Sequence, residues 1–100
     1  MNRKEHLMIT AAEEAMEVGH RISKALRFGL TEVQPGQPLT NAERIIDEFH
    51  DLFVMMEMLR EEGHLPYTSF VPGIEKTDAK REKVNRLMDT ISRREGTLDD

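Results

Sequence analysis

The sequence has no cysteine and no tryptophan. Without cysteine there is no disulfide framework, no thiolate zinc site, no iron–sulfur cluster and no thiol nucleophile. Aromatics are scarce, four Phe and one Tyr, so a core has to be aliphatic, built from Leu, Ile, Val and seven Met. Basic charge is in deficit. Fourteen Lys and Arg face 19 Asp and Glu, for a net charge of −5, which argues against a nucleic-acid polymer held by phosphate contacts. No apolar run approaches the ~20 residues of a membrane span. The opening Met-Asn-Arg-Lys-Glu-His carries basic residues with no apolar signal core behind them. These absences fit the cytoplasm.

What is present is 38% hydrophobic and 33% charged over 100 residues, the mix of one soluble domain spanning residues 1–100. Three helical blocks are legible. The first runs from about Arg3 to Phe28, with Asn2 and Glu5 as a capping box, Leu7, Ala11, Val18, Ile22 and Ala25 at helical spacing, and Gly29 as its stop. Pro35, Gly36 and Pro38 mark a loop over Leu30 to Leu39. Thr40 and Glu43 form a second capping box, and a helix is expected from about Asn41 to Glu62. Its apolar face is Ala42, Ile45, Ile46, Phe49, Leu52, Phe53, Met56 and Leu59. Another loop, His64 to Glu75, holds Pro66, Pro72 and Gly73. A third helix is expected from Thr77 or Asp78 to before Gly96, with the thinner stripe Val84, Leu87, Met88 and Ile91. Thr97 to Asp100 should be loose. No stretch alternates as a strand. The fold class is all-α, a small bundle of three main helices per chain. So short a chain buries a modest core, and homodimerisation would complete it.

The informative residues are carboxylates placed where apolar side chains belong. On a helical wheel Glu14 falls beside Leu7, Val18 and Ala25, and Glu17 lies one sector further round. Glu48 falls between Met55 and Leu59, with Asp51 on the rim. Residues at i, i+3 sit side by side, so each helix carries an acidic pair, and antiparallel packing brings the pairs together. Four carboxylates in one low-dielectric place need protons or a cation. Oxygen-only ligands favour a hard cation, Mg²⁺ or Mn²⁺, with Ca²⁺ as a further choice. Such an ion would clamp phosphate oxygens and acidify a bound water, and Glu13 would stand ready as the general base. The ordinary role of a helical Glu pair is a solvated face; two pairs intruding on facing apolar arcs are not ordinary.

Glu17-Val18-Gly19-His20 and Asp47-Glu48-Phe49-His50 also fit the acid-x-x-His pattern of di-iron bundles. The wheel disfavours it, because His20 points away from the apolar arc and Asp47 lies on the solvent side, whereas His50 falls near the edge of the arc, half buried. Among the basic residues, Lys24 shares a side of the first helix with Glu17, and Arg21 lies between that side and the apolar arc. Arg27 faces outward, where it would act across a subunit boundary. Lys80 shares the face of Val84, and Lys83 is close behind. Each is a candidate for phosphate. Their ordinary roles are surface pairs and snorkelling. Phe49 and Phe53 are expected in the core; Phe28, Tyr67 and Phe70 are candidates to line a base pocket. Met55, Met56 and Met58 suit an adaptable helix interface.

Glu13-Glu14-Ala15-Met16-Glu17 followed by Glu48-Phe49-His50-Asp51 reads as E-E-x-x-E and then E-x-x-D. This resembles the MazG-like all-α nucleoside triphosphate pyrophosphohydrolases, and is similar to the related dUTPase and phosphoribosyl-ATP pyrophosphatase groups. Ser23-Lys24-Ala25-Leu26-Arg27-Phe28-Gly29 and Asn41-Ala42-Glu43-Arg44 resemble small phage and bacterial members. The match spans the first two helices. The resemblance implies hydrolysis of an NTP or dNTP to the monophosphate and pyrophosphate, with Mg²⁺ held by Glu14, Glu17, Glu48 and Asp51 and Glu13 nearby, in a dimer or a dimer of dimers. The sequence departs from the family pattern in its longer gap between motifs. The Lys and Asn found a turn apart on a later helix in relatives have no clean counterpart among Lys80, Arg81, Lys83 and Asn85. Two alternatives stand beside this reading. One is a phosphoribosyl-ATP pyrophosphatase. The other is a non-catalytic helical interaction or regulatory module, whose acidic pairs would meet a partner's basic residues.

Overall fold

The structure is a computed structural model and describes residues 1–99. Among the described residues every regular element is a helix, and there is no strand. The chain divides into two compact units, Met1–Tyr67 and a second beginning at Thr68.

The first unit is an antiparallel helical hairpin. Helix α1 spans Arg3–Phe28 and α2 spans Asn41–Glu61. Both start at the expected capping boxes: Asn2 accepts from the Glu5 amide and Thr40 from the Glu43 amide, and each Glu reaches back to its cap. These bonds satisfy amides that a helix start leaves without intrahelical partners. Helix α2 ends where Gly63, at φ 82°, turns the chain left-handed. The Gly63 amide then donates to the Arg60 carbonyl and the His64 amide to the Leu59 carbonyl, a Schellman closure that an L side chain at Gly63 would strain.

Side chains lock the two ends of the hairpin. At one end Arg3 donates Nε and Nη2 to the two oxygens of Glu62, at 2.9 and 2.8 Å. At the other end Asn41 is only 2% exposed. Its Nδ2 donates to the Gly29 carbonyl and to Glu32 Oε1, both at 2.8 Å, while its own amide donates to the Glu32 carbonyl at 2.9 Å. The start of α2 is thereby fastened to the loop leaving α1. Replacing Asn41 with Ala removes two part-buried hydrogen bonds, one of them to a carboxylate, so it is expected to cost about 2–4 kcal/mol. The urea midpoint measures this.

Between the locks lies a small core. Leu7, Ala11 and Leu59 are buried, with Met55, Met56, Met58 and Leu65 packed against them, and Ala25 is buried further along α1. The methionines fill this interface as expected. Phe49 and Phe53 do not: they are 50% and 39% exposed. The apolar arc of α2 is wider than one facing helix can cover. Asn41 and Leu59 are buried, while Ile46, Phe49 and Phe53 stay on the flank, as do Ile22 and Leu26 of α1, 52% and 87% exposed.

In the second unit α3 spans Ile74–Leu87 and runs into a π-helical turn over Met88–Ser92. The helix begins earlier than Thr77 because Gly73 takes the cap position. The Thr77 amide and hydroxyl both donate back to the Gly73 carbonyl, so Thr77 is inside the first turn rather than capping it. The wider turn follows from the Arg93 amide bonding the Met88 carbonyl, five residues back. No residue of α3 is buried, and Val84, Leu87, Met88 and Ile91 are 37–45% exposed. The Thr97 and Leu98 amides donate to the Ser92 carbonyl, so these two are tied down; Asp100, expected to be loose, lies outside the described residues. No helix among the described residues is long and apolar enough to cross a membrane.

Candidate metal centre

The antiparallel hairpin brings the two acidic motifs face to face. Glu14 of α1 and Glu48 and Asp51 of α2 each present an oxygen within 4.8 Å of the others. Glu14 and Glu48 are half-buried and Asp51 is exposed, the inner-and-rim order that the wheel predicts. Among the described residues this is the one group of three or more acids or histidines close enough to share an ion.

The electrostatics follow from the crowding. Burial pushes the Glu48 carboxyl above its ordinary value. The charges of Glu14 and Asp51, a hydrogen bond with Glu14, and the charge of Glu17 push it the same way. A carboxylate in this position resists ionising unless positive charge arrives. Three oxygen donors with no nitrogen or sulfur suit a hard cation that keeps water in its remaining positions. By donor chemistry and by charge, the group could hold a divalent metal ion.

The other expected residues are not members of this group. Glu17 is exposed and stands outside the triad, though Glu48 feels its charge; its Oε2 lies 3.9 Å from Arg21 Nη2. Glu13 is exposed one residue before Glu14. Lys24 is half-buried, its Nζ 5.6 Å from the centroid of the Phe28 ring, and the exposed Arg27 guanidinium is 4.8 Å from the same ring. Lys80 and Lys83 stand exposed on α3 in the second unit. His20 and His50 are exposed and outside the triad, so His50 is not half-buried as the wheel suggests, and no acid–His constellation of the di-iron kind forms among the described residues.

Two features carry no sequence motif. Arg21 is largely shielded, its side chain 17% exposed, and its Nε is buried without a hydrogen-bond partner. Arg44 is half-buried and donates from Nη1 to Gln34 Oε1 at 3.1 Å. A signal for both does exist in spacing. Arg21 follows Glu14 by seven residues and Arg44 precedes Asp51 by seven, so each shares a helix face with an acid of the triad. Compared with known proteins, the chain matches no family model, no curated protein and no solved structure at a significant level.

Proposed function

We propose that this chain is a Mg²⁺-dependent nucleoside triphosphate pyrophosphohydrolase of the MazG-like type, releasing pyrophosphate and a nucleoside monophosphate from an NTP or dNTP. The observation that carries the reading is the convergence of Glu14, Glu48 and Asp51 from two motifs 31 residues apart, at the spacings E-E-x-x-E and E-x-x-D.

In this reading Glu14, Glu48 and Asp51 hold the ion, and Glu17 joins them from one turn along α1 when its weak pairing with Arg21 yields. Bound there, Mg²⁺ supplies charge neutralisation of the phosphates and a more acidic water. Water oxygen attacks the α phosphorus, the bond from that phosphorus to the bridging oxygen breaks, and pyrophosphate departs. Glu13 takes the proton of the attacking water. Arg21 and Lys24, further along the same face of α1, neutralise phosphate charge that the ion leaves uncompensated. Arg27, Lys80 and Lys83 are secondary phosphate candidates. The exposed flank of Ile22, Leu26, Ile46, Phe49 and Phe53 is covered by a second copy of the chain, and a nucleotide-pool substrate puts the protein in the cytoplasm.

The test is product analysis with a panel of NTPs and dNTPs, with Mg²⁺ and with EDTA. Metal-dependent pyrophosphate with the monophosphate as co-product is the expected result. Orthophosphate would place the cleavage elsewhere. No turnover would direct attention to phosphoribosyl-ATP, and inertness there too would favour a non-catalytic helical module.

A further inference from the structure

The Arg21 side chain is only 17% exposed, yet its Nε is buried with no hydrogen-bond partner. The carboxylate it faces, Glu17, stands 3.9 Å from Nη2, too far for a hydrogen bond. A guanidinium carries five donors in a planar fork that takes phosphate oxygens two at a time. Drawing it out of water while leaving a donor unpaired is costly, and an anion that takes up the fork offsets that cost.

Its position says which anion. Side chains on a helix lean toward its N-terminus, and Arg21 follows the rule. Its Cα is two turns beyond Glu14, but its guanidinium has come back to Glu17, one turn from Glu14, about 5 Å along the axis. The charge of Glu17 in turn acts on Glu48. The guanidinium therefore stands one carboxylate away from the triad, beside any phosphate held there. The other cations nearby are turned elsewhere. Lys24 and Arg27 lie 5.6 and 4.8 Å from the centroid of the Phe28 ring, where Lys24 and Phe28 line an open cavity of about 390 Å³. Arg44 of the facing helix is bound to Gln34 in the loop.

We infer that Arg21 receives the leaving group: its guanidinium donates to the β phosphate and to the oxygen that joins it to the α phosphorus. The inference rests on the nucleotide reading above and gives that site a direction. Displacement at phosphorus runs in line, with the entering water and the departing oxygen on opposite sides. Glu13, which takes the water's proton in that reading, precedes Glu14 on the helix, and the Arg21 guanidinium lies beyond it. As the bond from the α phosphorus to the bridging oxygen breaks, its electron pair stays on that oxygen. Negative charge grows where the fork already points, which is where a fixed donor lowers a barrier most.

Inorganic pyrophosphate, titrated with Mg²⁺ into the intact chain and then used as an inhibitor of turnover, probes this site directly. Arg21→Met keeps most of the side chain's length and removes its donors; Arg21→Lys keeps the charge and loses the fork. Arg21→Met is expected to weaken pyrophosphate by about 10- to 150-fold and to lower kcat by about a hundred- to a thousandfold, with Arg21→Lys in between. The monophosphate product should inhibit the wild type and both variants equally, because it carries only the α phosphate. Without ligand, Arg21→Met should melt no lower than the wild type, since it removes a buried unpaired N–H. Pyrophosphate that ignores the wild type, or binds Arg21→Met as tightly, overturns the assignment. So does a monophosphate weakened as much as pyrophosphate, or a ligand-free melt that drops in both variants, the mark of a structural arginine. The two readings fail separately. Pyrophosphate bound through Arg21 by a chain that releases none from any NTP or dNTP overturns the activity alone. Metal-dependent release with kcat and pyrophosphate inhibition unchanged in Arg21→Met overturns the leaving-group role alone.

Discussion

Glu48→Gln is expected to abolish metal-dependent pyrophosphate release, by about a thousandfold or more, while making the metal-free protein harder to melt at neutral pH. The two effects have one cause. Glu48 is one of two half-buried members of a carboxylate group whose oxygens approach within 4.8 Å. Its pKa is raised first by burial, then by the charges of Glu14 and Asp51. The folded chain therefore holds this proton more tightly than the unfolded chain does. Between the ordinary carboxylate value and the raised one, folding stability must fall as pH rises, and above the raised value the full penalty persists. A neutral amide of the same shape removes the penalty and also removes a ligand charge. The depressed carboxyl of Glu62, held down first by its hydrogen bond from Arg3, acts with the opposite sign. Its contribution is present above the ordinary carboxylate value and is lost as pH falls through the lower one. The measurement is a set of melts between pH 4 and 8, with Mg²⁺ and with EDTA. An ion at a hundred times its dissociation constant stabilises the folded state by about 2.7 kcal/mol. The wild type should show such a rise, and Glu48→Gln and Asp51→Ala should lose most of it with helical circular dichroism intact. A wild-type midpoint indifferent to Mg²⁺ and Mn²⁺ would remove the metal site. Full turnover by either variant would move the chemistry elsewhere.

On the proposed homodimer, Phe49→Asp is expected to leave a monomer with a lowered melting temperature. The hairpin buries few apolar side chains, Leu7, Ala11, Ala25 and Leu59, and leaves Ile22, Leu26, Ile46, Phe49 and Phe53 between 39% and 87% exposed. So small a core leaves little margin against chain entropy, whereas the flank offers apolar area suited to a second copy. Burying such a side chain contributes about 1.5–3 kcal/mol, and in a two-fold interface each residue counts twice. The loss of Phe49 therefore amounts to roughly 3–6 kcal/mol of association, more than a hundredfold in Kd. Val54 is 51% exposed on a different side of α2, and Val54→Asp should leave the mass unchanged. Light scattering across a dilution series reads both. A wild-type mass of 11.6 kDa at high concentration would show that the flank is not a self-interface.

The hairpin and its ends were legible in the sequence because their causes are local. Asn2 with Glu5 and Thr40 with Glu43 are capping boxes written within four residues, and Gly63 supplies the positive φ that a Schellman closure needs. The acidic group was legible for a related reason. Helical periodicity assigns Glu14 and Glu48 to the edge of an apolar arc whatever the partner, and antiparallel packing of adjacent helices is the default for a short connection. Local signals were weakest in the second unit, where Gly73 took the cap position expected of Thr77 or Asp78 and the wider turn at Met88–Ser92 had no sequence mark.

What only the tertiary structure decided concerns which part of each arc meets the other helix. A wheel ranks Phe49 and Phe53 with Leu59, yet one facing helix covers a limited sector, so Leu59 is buried and the two rings are left on the flank. The same choice put Glu17 outside the triad and shielded Arg21. The cavity at Phe28 depends on contacts between residues 9 to 12 apart across a loop, Asn41 with Glu32 and with Gly29, and Arg44 with Gln34. Periodicity carries no information about a loop's path; that path is set by where buried donors find acceptors.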